Sequence, residues 1–317
     1  MHVLITGGAG FIGSHFTEMA MDGLFPKIDK ITVLDKLTYA GKLENLSSIK
    51  SNSNFKFVKG DICDSKILKS LAEGLDAVIN FAAESHVDRS ILDSGPFIET
   101  NIRGTQILLD FVKEYSIQRF VQISTDEVYG SISSGSWDEH QPLKPNSPYA
   151  ASKASADLLA LSYFKTYGLN ICITRSSNNF GPRQNVEKLI PSFISRLLQG
   201  GKVPLYGDGW NVRDWLFVKD NCRAIYTVFE KGLPGEIYNI GGGEEFTNLE
   251  LTKKILSLMN KDENMIDFVT DRLGHDYRYS VDFNKIKQIG YSAELNFENN
   301  LTETIKWYKK NIKETEE

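Results

Sequence analysis

The chain begins with a short apolar run, Val3-Leu4-Ile5, that passes directly into Thr6-Gly7-Gly8-Ala9-Gly10-Phe11-Ile12-Gly13 and then into a helix-length stretch. Glycines this closely spaced, between a strand and the first turn of a helix, let the backbone approach a pyrophosphate. The helix N-terminus then supplies N–H groups and the positive end of its dipole. Asp35 closes the second apolar run, about 20 residues beyond the last glycine of the motif. A carboxylate at that point accepts from ribose hydroxyls and repels a 2′-phosphate, so the motif predicts a dinucleotide site that takes NAD rather than NADP. Without the glycines, Asp35 would read as an ordinary strand-end turn former.

The first half of the chain repeats this alternation. Apolar runs at 3–5, 31–34, 55–58, 77–81, 120–123 and 171–174 are separated by helix-length segments. That pattern predicts a Rossmann-type α/β fold, a doubly wound parallel sheet with helices on both faces and ligands at its carboxyl edge. Residues 101–115 carry a helical stripe of Ile102, Leu108, Leu109, Phe111 and Val112, and 149–167 form a second helix rich in Ala and Leu. After about residue 178, Pro182, Pro191, Pro204 and the glycine-rich 206–209 break the regular pattern, and a smaller α/β lobe is expected there. A helix at 220–231 and a strand at 236–240 point to a brief return. The expected division is 1–178, with a return of roughly 216–240, for the cofactor, and 179–215 with 241–317 for the substrate. Residues 306–317 read as a solvated helix fraying into a tail.

Composition narrows the function classes. The 317 residues exceed one ordinary domain, and 41% apolar with 24% charged residues is a globular balance. With 36 Lys and Arg against 41 Asp and Glu, the net charge is −5, which gives no electrostatic reason to expect nucleic acid or an anionic membrane as partner. No apolar run approaches the ~18 residues of a spanning helix, and the start lacks a basic flank or cleavage segment, so a cytoplasmic protein is expected. Cys63, Cys172 and Cys222 are far apart, which suits reduced thiols. His2, His15, His86, His140 and His275 show no ligand spacing, and no metal is expected.

Further motifs fall at the ends of the predicted strands. Gly60-Asp61-Ile62 follows the third and Phe81-Ala82-Ala83-Glu84-Ser85 the fourth. Small Ala82 and Ala83 let a flat cofactor lie near the backbone, or simply pack helix on sheet. Tyr149-Ala150-Ala151-Ser152-Lys153 places a phenol and an ammonium at i and i+4, on one helix face. A Tyr near its ordinary pKa of ~10 is a poor base at neutral pH, but a nearby Lys and an oxidised nicotinamide both favour the phenolate. Tyr149 could then take a proton from a sugar hydroxyl while hydride leaves the same carbon.

Together the glycine run, Asp35 and the Tyr149–Lys153 motif resemble the extended short-chain dehydrogenase/reductase superfamily. Within it, Ile123-Ser124-Thr125-Asp126-Glu127-Val128-Tyr129-Gly130 resembles the Thr-Asp-Glu signature of the dTDP-glucose 4,6-dehydratases. The likeness continues in Asp35-Lys36-Leu37-Thr38-Tyr39-Ala40-Gly41 and Ala82-Ala83-Glu84-Ser85-His86-Val87-Asp88-Arg89-Ser90. It extends through Arg175-Ser176-Ser177-Asn178-Asn179-Phe180-Gly181-Pro182, Arg213-Asp214-Trp215 and Asp271-Arg272-Leu273-Gly274-His275-Asp276, nearly end to end. Two departures are Leu273, where relatives often have Pro, and the loop Arg183-Gln184-Asn185-Val186.

The resemblance implies NAD contacts from Gly7, Gly10, Phe11, Ile12 and Gly13, and from Asp35, Lys36, Leu37 and Thr38. Asp61, Ile62, Phe81, Ala82, Ala83, Ser85, Thr100, Tyr149 and Lys153 complete that set. Around a nucleotide-diphosphate sugar, dTDP-glucose foremost, it implies Ser85, Thr125, Asn179, Lys188, Leu189, Pro204, Tyr206, Arg213, Asn248, Arg272 and His275. Lys188 and Arg213 are the cations a pyrophosphate needs, Arg213 through a bidentate fork. A homodimer built from the helices near 101–115 and 149–167 is likewise implied.

Dehydration needs a base for a carbon-bound proton and an acid for departing hydroxide. Adjacent carboxylates on a continuing strand would face opposite ways, so Asp126 and Glu127 serve one pocket only if the strand ends and the chain turns into a helix start. The resemblance assigns Asp126 as acid and Glu127 as base. A helix N-terminus would lower both pKa values, and burial with mutual repulsion is expected to keep a proton on one of them. C5–H of a hexose becomes acidic only after C4 is a ketone, so oxidation by Tyr149, assisted by Thr125 and Lys153, comes first. Elimination of the C6 hydroxyl and hydride return to C6 follow. A dehydratase for another nucleotide sugar such as a UDP-sugar, a 4-epimerase, and a noncatalytic NAD sensor share the cofactor motifs. The Asp126-Glu127 pair argues against the epimerase, and the intact Tyr149 and Lys153 argue against the sensor.

Overall fold

A computed structural model describes residues 1–271, 275–294 and 296–313, with no side-chain detail at 313. The first six strands are β1 (His2–Thr6), β2 (Lys30–Asp35), β3 (Phe55–Lys59), β4 (Ala77–Asn80), β5 (Arg119–Thr125) and β6 (Ile171–Ser176). They are followed by β7 (Asn178–Phe180), β8 (Val203–Tyr206), β9 (Val212–Phe217), β10 (Ile237–Ile240), β11 (Glu245–Thr247) and β12 (Ile266–Val269). Seven strands form one sheet in the order β10-β6-β5-β4-β1-β2-β3, with every pairing parallel. The fold is α/β of Rossmann type. The order reverses between β1 and β4, which opens a crevice outside their carboxyl ends.

Alternation explains why both faces are covered. Val3 and Ile5 of β1 enter one apolar cluster while Leu4 between them enters another, so helices must pack on each side. The first cluster runs on to Phe180, Trp215, Leu251 and Ile255, so the later elements share a core with the main sheet. Those elements are a three-stranded sheet, β11-β9-β7, a two-stranded one, β12-β8, and the helices Leu189–Leu198, Asn248–Leu258 and Phe297–Lys313. The helix Val218–Lys231 leads back to β10, which pairs with β6. Among the described residues, no helix is long and apolar enough to cross a membrane.

Two features set the floor of the crevice. Thr6 Oγ1 donates to Asn80 Oδ1 at 2.6 Å, and Asn80 Nδ2 donates to Gln122 Oε1 at 2.9 Å, which ties β1, β4 and β5 together just below their carboxyl ends. The helix expected over 101–115 departs from its prediction at the start: Ile98–Gly104 is a π-helical turn, and regular α-helix covers only Thr105–Glu114. The wider turn accommodates buried Asn101, whose amide bonds both the N–H and the carbonyl of Glu84 and donates to Ser152 Oγ.

Candidate active site

The loops after β1, β2, β3 and β4 surround a cavity of about 240 Å³. Gly7 turns out of β1 at φ +67°, and a Cβ there would lie 2.6 Å from the amide nitrogen of Ala82. A Cβ on Gly13 would lie 2.4 Å from the Gly7 carbonyl oxygen. These glycines therefore bring the Ala82 loop and the start of the helix Phe11–Met21 together at the cavity wall. Asp35 is buried, and its carboxylate accepts from Ala9 N at 2.9 Å and Leu37 N at 2.8 Å. Burial pushes the Asp35 pKa up, and those two N–H donors oppose the rise. Close glycines, a helix N-terminus and a buried strand-end carboxylate fit a dinucleotide.

Gly7, Gly10, Phe11, Ile12, Gly13, Asp35, Lys36 and Thr38 all line this cavity, as do Asp61, Ile62, Phe81, Ala82, Ala83, Ser85, Thr100, Tyr149 and Lys153. Leu37 does not. It adopts φ +56°, donates its N–H to Asp35, and packs its side chain against the core, so it shapes the turn instead of the wall. Sequence reasoning left out Tyr39, Gly41, Glu84 and Arg183, which also line the cavity. At Gly41 the structure shows why no side chain fits, since a Cβ there would lie 2.6 Å from Asp35 Oδ1.

Tyr149 and Lys153 stand on the helix Pro148–Tyr167, capped by Ser147, whose hydroxyl accepts from Ala150 N at 3.1 Å. Tyr149 is buried. Burial and then the charge of Glu127 push its phenol well above the ordinary value, while a hydrogen bond with Thr125 pulls it down. Lys153 is held from the other side, by the strand. Lys153 Nζ donates to the Ile123 carbonyl at 2.5 Å, and burial drives the ammonium down to about 8 against the pull of Asp157. The hydrogen bond with Thr125 favours the phenolate.

β5 ends at Thr125, and Asp126–Tyr129 make a single 3₁₀ turn, which frees the two acids from strand alternation. Thr125 caps it. Its Oγ1 accepts from Glu127 N and donates to Asp126 Oδ1, each at 3.3 Å. Asp126 is 3% exposed. Burial, then Glu127 and Asp214, raise its pKa well above the ordinary 3.8 against the pull of Arg213 and Thr125. The low-pKa effect of the turn N-terminus is overridden.

Glu127 faces a second cavity of about 500 Å³, which shares His86, Gln184, Glu187 and Lys188 with the first. Asn179, Lys188, Leu189, Pro204, Tyr206, Arg213, Asn248 and His275 line it, together with Asn178, Phe193, Arg196 and Trp215. Thr125 is buried and is not among the lining side chains of either cavity. Arg272 and Leu273 lie outside the described residues. Lys188 Nζ donates to Ser85 O at 2.9 Å across the shared wall. The bidentate fork expected of Arg213 takes a different form. Its Nη1 donates to Val212 O at 2.7 Å and Tyr277 O at 3.3 Å, and its Nη2 donates to Asp276 O at 2.8 Å, with the guanidinium 4.4 Å over the Tyr279 ring. The charge reaches the cavity, but backbone carbonyls fix much of its fork. Among the described residues, no group of His, Cys, Asp and Glu could hold a metal ion.

Residues 4–304 match the GDP-mannose 4,6 dehydratase family. The chain belongs to that family. Among its relatives, the dTDP-glucose 4,6-dehydratase of Actinoplanes sp. is 52% identical over 315 residues, 98% of each chain. The crystal structure of the dTDP-glucose 4,6-dehydratase from Streptomyces venezuelae with NAD and TYD bound superposes with a TM-score of 0.97 at 52% identity, covering 98% of both chains. That of the enzyme from Bacillus anthracis in complex with NAD gives 0.91 at 47%, covering 99% of this chain and 98% of the other. In this GDP-mannose 4,6 dehydratase family member, the buried Asp126 and the half-buried Glu127 stand side by side at the end of β5.

Proposed function

We propose that the chain is an NAD-dependent dTDP-glucose 4,6-dehydratase, a hydro-lyase that yields dTDP-4-keto-6-deoxyglucose. The observation that carries the chemistry is the pair at the end of β5: a buried acid whose pKa is raised, beside a second carboxyl that faces a separate cavity. Relatives named for this activity at about half identity over nearly the whole length support the substrate.

The walls of the smaller cavity would hold NAD, which when bound supplies a hydride acceptor for C4 and a donor for C6. Tyr149 takes the proton of the C4 hydroxyl, with Thr125 hydrogen-bonded to Tyr149 and stabilising the phenolate. Lys153 holds the Tyr149 helix to β5 and adds positive charge below its pKa of about 8. Glu127 removes the C5 proton, which the new ketone has made acidic. Asp126 gives its proton to the C6 hydroxyl as water leaves, and a carboxyl group later reprotonates C5. Lys188 and Arg213 supply positive charge beside the diphosphate, and Ser85, Asn179, Leu189, Pro204, Tyr206, Asn248 and His275 surround the rest of the nucleotide sugar.

In this reading residues 1–178 and roughly 216–240 serve the cofactor, and 179–215 with 241–317 serve the sugar nucleotide. We also infer a homodimer through the helices near 101–115 and 149–167, supported by exposed Leu92, Ile98 and Leu158 on or beside them. The free state of all three cysteines supports a cytoplasmic setting.

The test offers dTDP-, UDP-, GDP- and CDP-glucose in parallel and detects the ketosugar. Preferential conversion of dTDP-glucose is expected, with deuterium placed at C4 recovered at C6. Conversion of none of them, or product without deuterium at C6, would overturn the reading.

A further inference from the structure

The turn bearing Asp126 and Glu127 and the helix bearing Tyr149 and Lys153 are joined behind the site by one buried polar chain. Tyr129, the last residue of the turn, is 1% exposed. Its hydroxyl accepts from Arg175 Nη1 at 2.8 Å and donates to Asn239 Oδ1 at 2.9 Å. Arg175, on β6, donates through Nε to Asp157 Oδ2 at 2.9 Å, and its guanidinium lies 4.8 Å from the centre of the Tyr129 ring. Asp157 belongs to the helix Pro148–Tyr167, at i+4 from Lys153 and i+8 from Tyr149, so the three share a face. At the other end, Asn239 Nδ2 donates to the carbonyls of Trp137 and Asp282, and Asn239 N donates to Glu139 Oε1.

Stability alone is a weak reason for such a chain. Arg175 and Asp157 are 1% and 0% exposed, and well-packed apolar side chains in place of a buried ion pair are often as stable or more so. Hydrogen bonds add direction. Apolar contacts tolerate sliding between packed surfaces, whereas a planar guanidinium bonded at two edges fixes the spacing and orientation of both partners. Elimination demands that spacing, because a phenol working at C4 and two carboxyls working at C5 and C6 must meet one sugar ring, and a misplacement of about 1 Å can cost about a hundredfold in rate.

We propose that Tyr129 and Arg175 are positioning residues for the elimination step, a strut that holds the Asp126-Glu127 turn in register with the Tyr149 helix. The proposal rests on the dehydratase reading above. Its experiment is Tyr129→Phe, which keeps the ring and removes the hydroxyl, with Arg175→Lys as a second variant that keeps the charge and removes the fork.

Each variant is expected to lose about tenfold in kcat while KM for dTDP-glucose stays within about twofold, the signature of an interaction needed beyond substrate binding. NAD affinity should be unchanged. In a single turnover, the near-ultraviolet absorbance of reduced nicotinamide should rise and persist, because oxidation at C4 outruns elimination. A purely structural residue would lower the folded fraction and slow every step alike. Unchanged kcat, or a loss that follows the folded fraction without that absorbance, would overturn the strut. Wild-type enzyme that leaves dTDP-glucose unreacted would overturn the dehydratase reading instead.

Discussion

Lys153 Nζ lies 2.5 Å from the carbonyl oxygen of Ile123, so the ammonium of the Tyr149 helix is pinned to the strand that runs into Thr125, Asp126 and Glu127. The bond holds phenol and carboxyls on neighbouring elements and leaves an ammonium inside the protein. Burial brings that ammonium down from its ordinary 10.5 to about 8.

Between those two values the unfolded chain binds more protons at this lysine than the native one does, so stability rises as pH rises through the window. Below about pH 8 the cost of the buried charge is felt in full. Lys153→Met should therefore raise the unfolding midpoint at neutral pH, and the gain should shrink toward about pH 10 as the wild-type lysine becomes neutral. Turnover should fall by about 10²-fold or more, since the assisting charge is gone. Thermal unfolding at several pH values and steady-state rates check both parts.

Asp126 has the opposite sign. Its native pKa is raised by burial and by Glu127 and Asp214, so the native state holds a proton that the unfolded chain releases from its ordinary 3.8 upward. Stability at this group is highest below that range and declines as pH rises toward the native value. Asp126→Asn cannot ionise, so its stability should decline less than that of the wild type between acid and neutral pH. Dehydration should fall by about 10²- to 10⁴-fold, because the amide has no proton to give the leaving hydroxide. Denaturant unfolding across that pH range and product assays decide it.

The sheet and the cofactor cavity were legible because their signals are local. Gly7 and Gly13 are adjacent to the strand and helix they join, and Asp35 bonds Leu37 two residues on. The place of Leu37 outside the cavity lining was not legible, because its positive φ follows from those bonds and leaves no mark in a Leu. The backbone bonds of Arg213 were not legible for a longer-range reason. The carbonyls that hold its fork include those of Asp276 and Tyr277, more than 60 residues away, brought beside β9 by tertiary folding. The raised pKa of Asp126 depends on Asp214, with Arg213 opposing, and only packing brings those two near. The Tyr129–Arg175–Asp157 chain likewise spans three elements with no common motif.

Asp35 both folds its turn and lines the cofactor cavity. Replacement by Ser keeps a short acceptor for one of the two N–H groups and removes the charge. Affinity for NAD should fall by about tenfold, the scale of one lost charge-assisted hydrogen bond. Preference for NAD over NADP should shrink as well, because the carboxylate no longer repels a 2′-phosphate. Titration of both cofactors by calorimetry tests this, and an unchanged preference would remove Asp35 from cofactor selection.

Two glycines with similar backbone angles separate close approach from conformational strain. Gly7 has φ +67° and Gly23 has φ +81°, but a Cβ on Gly7 would meet Ala82 N at 2.6 Å and Phe81 C at 2.8 Å, whereas one on Gly23 meets nothing within 4 Å. Gly23→Ala should thus cost only the left-handed penalty of about 1 to 2 kcal/mol. Gly7→Ala adds a clash between backbone atoms that no side-chain rotation relieves. It should destabilise by about 4 kcal/mol or more, or shift the Ala82 loop and abolish cofactor binding in whatever protein folds. Urea unfolding of both variants, with cofactor titration of the folded fraction, measures the difference. Equal losses would mean that the β1 and β4 loops can part freely and that their close approach does not shape the cavity.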